Sequence, residues 1–88
     1  MINARQCRAA RAWLSWSQDE LAKESMVSKR AIANFESENT VPQDRTLRDL
    51  QRAFEDAGLS FIMDGMRGIG VQEMQSEEVL DLKALPET

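Results

Sequence analysis

The sequence predicts a mainly α fold, with four helices followed by a short β-hairpin and an acidic C-terminal tail. Three observations lead there. Four helix starts are marked by capping chemistry, apolar residues recur at helical spacing behind those starts, and the pattern changes after Gly58. The expected divisions are a helical domain over residues 1–58, a β-hairpin extension over 59–72 and an acidic tail over 73–88.

The helices follow from their caps. Asn3 with Gln6 forms an N-cap and its reciprocal partner, with Ile2 placed to staple onto Cys7, which opens a helix over 4–14. Ser17 with Glu20 is a full capping box, with Trp16 facing Leu21, and opens a helix over 18–25. Ser28 caps a third helix over 29–37, with Val27 stapling onto Ile32. The fourth starts near Gln43 or Asp44, just after Pro42, and runs over 44–57 to a left-handed stop at Gly58. Leu47, Leu50 and Phe54 share one face of it, and Arg45, Arg48 and Arg52 the opposite one. Leu14, Trp16, Leu21, Val27, Ile32 and Phe35 complete the expected core, with Met26 at its border. Residues 59–63 and 66–72 flank Asp64-Gly65, a dipeptide suited to a type I′ turn, while Gly68 and Gly70 weaken the return strand and favour an irregular loop. Beyond lie Met74, Val79, Leu80, Leu82 and Leu85 among acids. Ser76 before Glu77 and Glu78 can start a short helix there; the alternative is a frayed, disordered end.

Composition excludes several functions. The 88 residues contain no histidine, no tyrosine and one cysteine, so neither a histidine-activated nucleophile nor a nitrogen–sulfur metal site can be assembled. The expectation is a non-enzyme with no metal and no cofactor. Cys7 reads as a small core residue. No secretory leader and no membrane-length apolar run is visible, so a soluble, cytoplasmic protein is expected, without a membrane partner. The net charge of −4 is uneven: residues 1–35 hold six cations against three anions, while residues 72–88 hold five anions against Lys83. A neutral body with an acidic end argues against strong nonspecific affinity for nucleic acid, though not against a local basic patch.

That patch is found in residues 16–36, WSQDELAKESMVSKRAIANFE, which read as capped helix, short turn and second capped helix. Ala22 is the small residue needed inside the first helix, Val27 the apolar residue of the turn and Ile32 the buried residue of the second helix. At ~100° per residue, Lys29, Arg30, Ala33 and Asn34 form one outward face while Ala31, Ile32 and Phe35 point inward. Lys and Arg can donate to guanine O6 and N7, and Asn can bridge adenine N6 and N7.

With its flanks, over about residues 3–58, this stretch resembles the Cro/cI-type helix-turn-helix (Xre) family of bacterial and phage repressors, whose domain is lambda-repressor-like. The resemblance implies that the third helix enters the major groove of double-stranded DNA. Ser28, Lys29, Arg30 and Asn34 then fall at bases and nearby phosphates, and Gln18 braces against the DNA backbone. Arg11 and Glu36 match a family pair that forms an internal ion pair. Three features depart from the pattern. Met26 stands where the family usually has glycine, leaving either a strained turn or one of different geometry. The following loop, Ser37, Glu38, Asn39, Thr40 and Val41, lacks the usual glycine and basic residues, and Glu38 would repel DNA. Arg45, Arg48 and Arg52 each have an acid at helical spacing (Asp49, Asp44 and Asp56), which is expected to engage their charge.

Two functions of different class are compatible with this pattern. One is a sequence-specific DNA-binding repressor, acting as a homodimer on a palindromic site and paired through the hairpin edge or the fourth helix. The other is a helix-turn-helix fold serving as a protein-binding antiactivator or antitoxin-like module. It would sequester a partner such as a transcriptional activator through Met26, Leu80, Leu82 and Leu85. A mixed mechanism folds the tail over Lys29 and Arg30 as an anionic mimic.

Overall fold

The structure, a computed structural model, describes residues 1–74; the expectations for residues 75–88, Leu80, Leu82 and Leu85 among them, lie outside the described residues. Four helices, α1 (Ala4–Leu14), α2 (Gln18–Ser25), α3 (Lys29–Glu36) and α4 (Asp44–Asp56), precede an antiparallel hairpin of β1 (Leu59–Asp64) and β2 (Arg67–Glu73). Among these described residues no helix is long and apolar enough to cross a membrane.

Local chemistry places each helix. The Asn3 side chain accepts from the Gln6 amide at 2.9 Å and Gln6 Oε1 accepts from the Asn3 amide at 3.1 Å, closing a capping box on α1. Ser17 and Glu20 close the same box on α2, at 3.0 and 2.7 Å. Ser28 Oγ accepts from the Ala31 amide at 3.1 Å at the start of α3, whereas α4 starts at Gln43 without a side-chain cap. The helix α3 stops one residue short of expectation because a Schellman motif closes it. Glu38 takes a left-handed φ of 63°, its amide donates to the Phe35 carbonyl, and the Asn39 amide donates to the Asn34 carbonyl. Gly58, at φ +99°, turns the chain out of α4, whose last helical residue is Asp56.

The helices bury Cys7, Ala10, Leu21, Ile32, Leu50 and Phe54 completely, and β1 adds Leu59. Phe54 is the centre: Trp16 stacks on it with ring centroids 5.8 Å apart, and Phe61 of β1 meets it edge-on at 5.9 Å. Aromatic pairs of this kind add ~0.5–1.5 kcal/mol each beyond their burial, so the Phe54–Phe61 pair fastens the hairpin to the helical body. Met26, expected at the core border, is instead 88% exposed.

The hairpin departs from expectation twice. Asp64 pairs with Arg67, which centres the turn on Gly65 and Met66 rather than on Asp64 and Gly65. Only Gly65 has a positive φ there, the pattern of a type II′ turn, whereas type I′ needs it at both central residues. Nor is the return segment an irregular loop. It is a strand with one bulge, since Ile62 pairs with Gly70 and Met63 with Gly68, leaving Ile69 as the extra residue. The α1 cap explains Gly68, while a Cβ at Gly70 would press on the Ile62 side chain at 3.3 Å. Gln6 Nε2 donates to the Ile62 and Gly70 carbonyls at 3.2 and 3.0 Å, and Asn3 Nδ2 donates to the Gly68 carbonyl at 3.0 Å. A Cβ at Gly68 would lie 1.9 Å from Gln6 Oε1, so glycine is the residue that lets the capping box clip the hairpin down.

Candidate nucleic-acid interface

The segment α2–turn–α3 is held from below by one buried carboxylate. Glu36, 5% exposed, receives Arg11 in a two-pronged contact, Nε to Oε2 at 2.7 Å and Nη2 to Oε1 at 2.8 Å. Gln18 Nε2 donates to Oε1 at 2.9 Å and Cys7 Sγ to Oε2 at 3.1 Å. One residue at the end of α3 is thereby tied to α1 twice and to α2 once. Burial alone would raise the Glu36 carboxyl, but the hydrogen bonds from Arg11, Gln18 and Cys7, with the Arg11 charge, outweigh it and hold the group below its ordinary value. Burial, reinforced by the Glu36 hydrogen bond, pushes the Cys7 thiol well above its ordinary range, so it stays protonated as a donor. Glu36 raises the Arg11 guanidinium further, against the opposing effect of burial.

The turn keeps the tight geometry that glycine would provide. Met26 sits at φ 64° and ψ 23°, with its amide on the Ala22 carbonyl at 2.9 Å, so the turn is strained rather than rebuilt. A left-handed conformation costs an L-residue roughly 1–2 kcal/mol. Val27 is buried beside it, and its amide donates to Ser25 Oγ at 3.2 Å.

On this frame α3 turns Lys29, Arg30, Ala33 and Asn34 to one side, while Ile32 and Phe35 are buried on the other. Arg30 is exposed and makes no ion pair among the described residues. Lys29 Nζ lies 3.4 Å from Asp19 of α2, an exposed pair that neutralises part of the face. The Ser28 hydroxyl is spent on capping α3, at the edge of the same face. Gln18 Nε2 donates one of its two N–H groups to Glu36, which leaves the second N–H and the carbonyl oxygen uncommitted. Met26 stands exposed at the turn.

Two charge assignments change. Arg45, Arg48 and Arg52 are exposed, and none pairs with Asp49, Asp44 or Asp56 within 4.0 Å among the described residues. An exposed helical pair is worth only ~0.2–0.5 kcal/mol, too little to fix two long side chains. Glu38, for its part, lies 3.7 Å from Arg8, whose guanidinium also donates to the Glu36 carbonyl. Sequence reading missed Arg8 as a brace of the α3 C-terminus and Cys7 as a donor to Glu36. Their partners lie about 30 residues away, and no local spacing signals either contact.

No curated protein matches the chain. A helix-turn-helix family model matches residues 8–56, more than half of the 88 residues and the whole of α2, the turn and α3. The chain belongs to the Cro/cI-type helix-turn-helix (Xre) family of DNA-binding transcription regulators.

Proposed function

We propose that the protein is a sequence-specific repressor that lays α3 in the major groove of double-stranded DNA, two copies binding a palindromic site. The observation that carries this reading is the outward face of α3, where Arg30, without an ion pair among the described residues, stands beside Asn34 and the small Ala33 permits close approach to the groove. Arg30 and Asn34 read base edges in this scheme, Lys29 and Ser28 hold nearby phosphates, and the second N–H of the Gln18 amide braces against the DNA backbone. The test is selection of duplexes from a random pool, followed by binding of Arg30→Ala and Asn34→Ala to the recovered site. Each substitution is expected to cost about 1–3 kcal/mol against the preferred base and to relax selection at one position, with the circular dichroism spectrum unchanged. Recovery of no preferred sequence by the wild-type chain refutes the repressor reading.

One observation favours a second reading, in which the fold sequesters a protein such as a transcriptional activator. Met26 is held 88% exposed in a strained turn, where its side chain adds nothing to the core and suits an apolar anchor. Under that reading Met26→Ser abolishes capture of the activator while the recovered duplexes show no preference.

A further inference from the structure

We propose that residues 75–88 of the same chain dock in an apolar groove formed by α1, the α3–α4 loop and β2. The groove is open to solvent, with a volume of about 1070 Å³. Buried Ile2, Phe35 and Leu47 line it, while Val41 is 92% exposed and Ile69 54% exposed on its walls. Nothing in the fold accounts for those two side chains lying in water. The charges at the groove are mostly positive. Arg5 and Arg67 line it, exposed and without ion pairs among the described residues, and Glu38 is drawn toward Arg8.

The segment that follows Met74 has the complementary composition. Val79, Leu80, Leu82 and Leu85 are interleaved with Glu77, Glu78, Asp81 and Glu87, against the single cation Lys83. Its point of departure is fixed, because the Met74 amide donates to the Gly58 carbonyl at 2.7 Å at the base of the hairpin. Ile69 lies five residues back along the strand, about 17 Å at the rise of a β-strand. Leu80 can reach ~20 Å from Met74 and Leu85 ~36 Å, so the apolar positions span the distance to the groove. A tether this short supplies an effective concentration in the millimolar range, so even a weak apolar fit suffices for occupancy. The exposed arginines of α4 match the charge but not the leucines, since the shallow cleft there is lined by Arg48, Gln51, Arg52 and Glu55 with Met1 its one apolar residue. Groove occupancy does not depend on what α3 binds.

Paramagnetic relaxation in the full chain tests this. A nitroxide on Ala84→Cys reports the position of the segment, and Cys7, being fully buried, is out of the reagent's reach. The amide signals of Ile2, Arg5, Val41 and Ile69 are expected to lose most of their intensity. They should recover when Leu80, Leu82 and Leu85 are changed to Ser in the labelled chain. A mixture of labelled chain with isotope-enriched unlabelled chain should show no such loss. Broadening confined to the neighbours of Met74, or centred on Arg48 and Arg52 or on Lys29 and Arg30, overturns the proposal. Equal broadening in the mixed sample overturns it too, by making a second copy the occupant.

Discussion

A carboxylate removed from water must be compensated by donors, and Glu36 collects them from Arg11, Gln18 and Cys7. Because the folded chain holds this carboxyl below its ordinary value, it favours the folded state above the unfolded-chain pKa of ~4.3. That contribution drains away as pH falls through the folded value. Glu36→Gln is therefore expected to destabilise the domain by about 3 kcal/mol at pH 7, because it leaves the Arg11 charge without its partner. In urea titrations the gap to wild type should shrink as the pH is lowered through the acidic range. A gap independent of pH would mean that Glu36 contributes by shape rather than charge. Residue by residue, the sequence was informative where a side chain's partner is set by the helical frame. The outward placement of Lys29 and Arg30 is of this kind. It was less informative where the partner is remote, as with the hydrogen bond from Gln18 to Glu36.

Elements were legible in proportion to how local their causes are. Asn3, Ser17 and Ser28 mark helix starts from within one turn, and those starts fall where the capping pattern puts them. Gly68 reads as a defect in the return strand because its reason, the Gln6 side chain, lies more than 60 residues away. The turn between α2 and α3 lies between these cases: methionine does not favour a left-handed conformation, yet the flanking caps and buried Val27 impose it. Met26→Gly should thus relieve ~1–2 kcal/mol of strain and lose ~0.5–1 kcal/mol to the greater freedom of glycine in the unfolded chain. A net gain of about 0.5–1 kcal/mol, a few degrees in Tm, is expected in calorimetry. The Met26 side chain is nearly all in solvent, so little burial is forfeited. An unchanged or lower Tm would show that Met26 makes a stabilising contact in solution.

For the molecule as a whole, the net charge is balanced and the outward face of α3 offers few cations to phosphates. Residues 1–71 sum to zero and the acidity lies beyond them. On the outward face of α3 only Lys29 and Arg30 are cationic, the first of them shared with Asp19. Neutralising each phosphate releases close to one counterion, so Lys29 as the one phosphate-bound cation of α3 predicts that log K falls with log salt at a slope of about −1 for one domain and about −2 for a pair on a palindrome. Fluorescence anisotropy of the selected duplex across a potassium chloride series measures it. So shallow a dependence would leave base contacts by Arg30 and Asn34 to carry the specificity, and would make binding to random duplex weak. A slope of about −8 or steeper for the pair would bring in cations beyond α3. Arg45, Arg48 and Arg52 are exposed and free of ion pairs among the described residues, so α4 would then be the element to add to the DNA footprint.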